Sequence, residues 1–107
     1  MSLDVYLKDE NEGYVFDYNI THNLAKMARE AGAYEFTWNA VDSGYKKASD
    51  IVKGLEVGLL ELLNDEEHYS QFNPENGWGS YDGLVKFLIA YIKACHNYPD
   101  ATIEICR

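Results

Sequence analysis

The sequence is short of basic residues. Nine Lys and Arg face eighteen Asp and Glu, a formal charge of -9, and such a chain repels phosphate backbones and anionic lipid surfaces. Direct nucleic-acid binding is not expected, and neither is a membrane-bound role. Cysteine is scarce as well. Cys95 and Cys106 form no Cys-x-x-Cys pair and no zinc spacing, and two are too few for a disulfide scaffold. Both read as core thiols. Long apolar runs are missing: the richest stretch, Leu84 to Ile92, is interrupted by Lys86 and closed by Lys93, whereas crossing a bilayer takes roughly 20 apolar residues. Asp4, Lys8, Asp9 and Glu10 come so soon after Met1 that no secretory apolar region is seen. The expectation is a protein that stays in the cytoplasm of the cell that makes it.

What is present favours one folded domain spanning residues 1–107. The chain has 107 residues, 47% hydrophobic and 14% aromatic, enough to build a packed core but too few for two. Leu3, Val5 and Leu7 alternate with Asp4, Tyr6 and Lys8, the period of a strand with one buried and one wet face. A polar turn, Asp9 to Gly13, leads to Tyr14–Tyr18, whose residues suit a pleated surface, so an N-terminal hairpin is expected. Thr21 is placed to cap a helix over His22 to Ala31, stopped by Gly32. From Ala33 to Tyr45 the signal is mixed: Tyr34, Phe36 and Trp38 alternate as in a strand, but no strand-like run continues past Asn39, and the stretch reads as irregular or a short helix.

A second helix, from near Lys47 to Leu63, carries a broad apolar stripe through Ile51, Leu55, Leu59 and Leu62. Gly54 and Gly58 interrupt it one turn apart. Each costs about 1 kcal/mol relative to Ala in a helix, so the pair points to close backbone approach by another element, within the chain or from a partner. Asn64 to Glu67 ends this helix. Gln71 to Ser80 reads as an ordered loop with the turn-forming pairs Asn73-Pro74 and Asn76-Gly77. Ser80 caps a third helix ending near Asn97, and Ala101, Ile103 and Ile105 mark a closing strand. The fold class is therefore α+β: a small antiparallel sheet, made of the N-terminal hairpin and the C-terminal strand, with about three helices on one face.

Two polar segments could carry chemistry. Asn19-Ile20-Thr21-His22-Asn23 sets amides, a hydroxyl and an imidazole around a helix start, where backbone N–H groups favour anions. A plain Thr21 cap with His22 on the surface explains the same residues. The second segment, Gln71 to Tyr81, alternates groups that orient a ligand with aromatic faces that stack on one. Its structural explanation is a rigid connection: Pro74 and Gly77 set the backbone, Asn73 and Asn76 bond it locally, and Trp78 plugs the core. The run Asp65, Glu66, Glu67, His68 reads as a solvated helix end and not as a metal site, because four adjacent side chains do not converge on one ion. No residue is assigned as a nucleophile, no cofactor is implied, and the sequence leaves catalysis and oligomeric state open.

The stretches Asn19–Leu24, Lys26-Met27-Ala28, Ala31-Gly32, Gln71–Gly79 and Tyr98-Pro99-Asp100-Ala101 resemble a family of short bacteriophage and bacterial proteins of unknown function, over the length of the chain apart from the middle segment Thr37 to Lys47, which departs from it. The resemblance implies no activity, cofactor or catalytic residue. It does imply a setting, a bacterial or infected host cell in which small accessory proteins interfere with host processes or defences. Two expectations follow. The first is a non-catalytic binding module that inhibits a bacterial protein through an acidic and aromatic surface. The second is a nucleotide-like small-molecule binder or minor enzyme whose pocket joins Thr21, His22 and Asn23 to Asn73, Glu75, Asn76, Trp78 and Tyr81.

Overall fold

A computed structural model describes residues 2–107. Strands β1 (Ser2–Asp9) and β2 (Gly13–Thr21) are followed by a 3-10 turn at His22–Leu24 and helix α1 (Ala25–Glu30), then by a second 3-10 turn at Tyr34–Phe36. Helices α2 (Ala48–Asn64), α3 (Glu66–Ser70) and α4 (Tyr81–Asn97) come next, and strand β3 (Thr102–Cys106) closes the chain. The sheet is antiparallel in the order β2-β1-β3, with the last strand pairing against the first. The expected α+β arrangement is therefore present, with a fourth, five-residue helix added. That helix forms because the Asp65 side chain accepts from the His68 N–H at 3.2 Å and starts a new turn where a simple helix end was expected.

The alternation in β1 decides which face is which. Leu3, Val5 and Leu7 are fully buried; they stand opposite Ile20, Tyr18 and Phe16 of β2, and Val5 and Leu7 also oppose Ile105 and Ile103 of β3. Helix α4 packs on this inner face through a ring of four aromatics. Phe16 stacks on Tyr91 at 5.4 Å and 7°, Tyr91 meets Phe87 at 5.6 Å, and Phe87 meets Tyr18 at 5.0 Å. Helices α2 and α4 run antiparallel, since Ser49 at the start of α2 bonds the Pro99 carbonyl and Leu62 near its end accepts from the Tyr81 hydroxyl at 2.7 Å.

The two glycines of α2 make room for the chain's own second 3-10 turn. A Cβ at Gly54 would overlap the Phe36 ring, and one at Gly58 would lie 2.8 Å from Ala33 Cβ. The close approach is thus intramolecular. The stretch before α2, without a clear period in the sequence, carries core residues: Ala33, Thr37, Trp38 and Ala40 are all buried. The Thr37 hydroxyl donates to the Ala33 carbonyl at 2.8 Å, so its burial leaves no lone donor.

One expectation about packing is corrected, and one of two alternatives is excluded. Cys95 is a core thiol, pushed up to about 12 by burial. Cys106 is exposed, because it opposes Asp4 in the register and so lies on the outer face of the sheet. Trp78 does not plug the core: its side chain is 72% exposed.

Candidate binding face and cleft

No helix covers the outer face of the sheet among the described residues. Lys8, Asp17, Asn19, Thr102 and Cys106 are exposed there, with Asp4, Tyr6 and Glu104 half-buried among them. The register explains how the face is assembled, since Asp17, Tyr6 and Glu104 stand side by side across the three strands, as do Asn19, Asp4 and Cys106. Tyr14 joins them through a β-bulge. Lys8 pairs with Tyr14 while Leu7 pairs with Phe16, so Val15 is the extra residue and the parity of Tyr14 is reversed. Without the bulge, Tyr14 would point to the core side.

The polar and aromatic groups of this face hold one another. The Tyr14 hydroxyl reaches over β1 and donates to Glu104 Oε1 at 2.7 Å, while its ring meets the Tyr6 ring edge-on at 5.8 Å. Lys8 Nζ lies 5.4 Å from the centre of the Tyr14 ring. Asn19 Nδ2 donates to Asp4 Oδ1 at 2.8 Å and to Ser2 Oγ at 2.9 Å. Negative charge dominates the middle. The Asp4 carboxylate most of all, then burial, Cys106, Asp17 and Glu104, raise the Tyr6 phenol above its ordinary value. Tyr14 is raised too, chiefly by its hydrogen bond to Glu104. Both phenols remain neutral donors beside carboxylates at physiological pH.

At the end of β2 the face runs into a cleft of about 360 Å³ lined by Ser2, Asn19, Thr21, Asn23 and Trp78. Its walls come from the two polar segments and from Ser2 at the start of β1. Asn23 Nδ2 donates to the Trp78 carbonyl at 3.2 Å, and Gly79 sits so close that a Cβ there would be 2.8 Å from Thr21 Cγ2. Gly79 also has a φ of 106°, a backbone shape that side chains disfavour. A larger hollow of about 540 Å³ lies by the hairpin turn, between Lys8, Asp9, Glu10, Lys47, Asp100 and Thr102. It is an open corner of mixed charge, and Asp9 Oδ2 is already occupied by the Asn11 and Glu12 N–H groups at 3.0 Å.

The eight residues singled out in the sequence divide between the cleft and the scaffold behind it. Thr21, Asn23 and Trp78 meet in the cleft. Thr21 also caps the turn after it, accepting from the Asn23 N–H at 3.2 Å. Asn76 supports Trp78 by accepting its backbone N–H at 2.9 Å, and Asn73 accepts the Tyr81 N–H at 2.7 Å. Tyr81 is buried with its hydroxyl on the Leu62 carbonyl, while Glu75 is exposed. His22 faces elsewhere: its Nδ1 accepts from the buried Trp38 Nε1–H at 2.7 Å, so the ring is a partner of the core indole. Reasoning from segments passed over Asp4, Tyr6, Tyr14, Asp17 and Glu104. The strand alternation could have found most of them, as the polar side of the period that located the core.

No protein-family model, curated protein or solved structure matches this chain. The geometry of the face and cleft therefore carries the functional reading. Among the described residues, no group of three or more His, Cys, Asp or Glu is placed to hold a metal ion, and no helix is long and apolar enough to cross a membrane.

Proposed function

We propose that this chain is a binding module that holds a basic surface of a bacterial protein against the outer face of its sheet, and inhibits that protein by covering it. The carrying observation is the uncovered face itself, where Asp4, Asp17 and Glu104 surround Tyr6 and Tyr14 in a fixed arrangement. Preformed aromatic anchors among carboxylates favour a cationic partner, and they need little ordering when it arrives. The bacterial setting comes from the resemblance to short phage and bacterial proteins. The alternative of a phosphate-bearing ligand has less support, because no Lys or Arg lines the Trp78 cleft.

The test compares retention from bacterial lysate at low salt on the immobilised wild-type chain, on a face variant (Asp4→Asn, Asp17→Asn, Glu104→Gln) and on a control (Glu66→Gln, Glu67→Gln). A polypeptide held by the wild type and the control, released by salt and lost by the face variant supports the reading. Equal retention on all three, or none on the wild type, overturns it.

A further inference from the structure

The exposed Trp78 is the least expected side chain in the molecule, and its surroundings narrow what it can meet. Its peptide is fixed on both sides, through the N–H to Asn76 Oδ1 and the carbonyl to Asn23 Nδ2. The amide of Asn23 is thereby oriented. So is that of Asn19, whose Nδ2 is shared by Ser2 and Asp4. Both amides turn their N–H₂ groups to the protein, and among the described residues neither side-chain carbonyl has a donor of its own. The cleft thus offers an aromatic face and two oriented acceptors, beside the Asp4 carboxylate. Its side-chain donors are neutral: the hydroxyls of Ser2 and Thr21, the Trp78 indole N–H and the second N–H of the Asn23 amide, with no Lys or Arg among the lining residues.

The complement of such a site is flat, cationic and rich in N–H groups. A guanidinium has these three properties: it stacks on an indole, presents five donors in one plane and keeps its charge. An ammonium lacks the plane. A nucleobase is flat and carries N–H groups, but it brings no positive charge to the neighbouring Asp4 carboxylate. The chain's own two arginines are engaged elsewhere, Arg29 over the Tyr34 ring at 4.2 Å and Arg107 with Asp42 and the Trp38 carbonyl. We infer that the Trp78 cleft is the anchor for an arginine side chain of the partner. This rests on the reading of the outer face as a docking surface for a basic protein, and names the residue that the end of that surface reads.

The probe is a blocked Gly-Arg-Gly tripeptide, with its Lys and citrulline counterparts, a nucleoside and a methyl glycoside, titrated into the isotope-labelled full chain. The Arg peptide should move the Trp78 indole N–H and the Asn19 and Asn23 side-chain amide resonances, leaving the Trp38 indole in place. Trp78→Ala should weaken that response about tenfold, and Trp78→Tyr should restore part of it. Equal shifts with the Lys or citrulline peptide, larger shifts with the nucleoside or glycoside, or no shift with the Arg peptide would each overturn the inference. The two proposals fail separately. A silent cleft in a chain whose face variant still loses its lysate partner removes only the arginine anchor. A responsive cleft in a chain whose retention ignores the face variant removes only the docking face.

Discussion

Trp38 and Trp78 stand in two stretches that look alike in the sequence, both aromatic and without a sustained helical or strand period, yet they reach opposite environments. Trp38 is 2% exposed and Trp78 is 72% exposed. The ring, indole N–H and carbonyl of Trp38 are all used by the fold. Its ring stacks on Tyr34 at 6.0 Å and 7°, its N–H donates to His22, and its carbonyl accepts from Arg107 at 2.8 Å. At Trp78 only the backbone is used, tied to Asn76 and Asn23. Burying an aromatic side chain stabilises a fold by about 2–3 kcal/mol, and Trp78 forgoes most of that while its peptide is held firmly. The contrast teaches that a rigid loop can serve display as well as packing. The same division runs through the sheet, where one face is packed by α4 and the other presents carboxylates and phenols.

The largest expected difference lies between the two tryptophans themselves. Trp38→Ala should lose about 3–5 kcal/mol in urea unfolding, the usual cost of emptying an aromatic core site, whereas Trp78→Ala should stay within about 0.5 kcal/mol of wild type. Comparable losses would mean that Trp78 is a packing residue, and the comparison would collapse. His22→Ala sharpens the first half. It leaves the Trp38 N–H buried without an acceptor, which costs about 1–3 kcal/mol, and it should leave the Arg-peptide response of the cleft intact. A His22 variant of full stability that lost the response would return His22 to the binding site.

Gly79→Ala probes the second half, with a smaller stability loss than Trp38→Ala. The new methyl group meets Thr21 and Leu24 at a backbone angle that alanine disfavours, at a cost of about 1–2 kcal/mol. The loop must move off the end of β2, so the Arg-peptide response should weaken while the fold persists. An unchanged response would show that the seating of the loop is not what prepares the cleft.

Most of the scaffold was legible in the sequence because it rests on local periods. Leu3, Val5 and Leu7 announced the inner face, and the stripes of α2 and α4 announced the helical layer. The cap at Ser80 is also where the sequence placed it, accepting from the Gly83 N–H at 3.1 Å. The site was legible only in part. Thr21, Asn23 and Trp78 were named, and the two segments that hold them do meet. The hydrogen bond of half-buried His22 to Trp38, and the exposure of Trp78, were not readable, since both depend on which distant neighbours arrive: Trp38 for the one, the end of β2 for the other. Tyr14 was hidden for another reason. A single unpaired residue, Val15, reverses its face, and no two-residue period encodes a bulge.

The most direct test of the central claim is the salt dependence of partner retention, measured side by side for the wild-type chain and the Asp4→Asn, Asp17→Asn, Glu104→Gln variant. If the outer face docks a basic surface, wild-type retention falls steeply as salt rises, and the variant is weak and nearly indifferent to salt from the start. Two chains with parallel salt curves and equal retention would contradict it, and would place binding somewhere other than the uncovered face of the sheet.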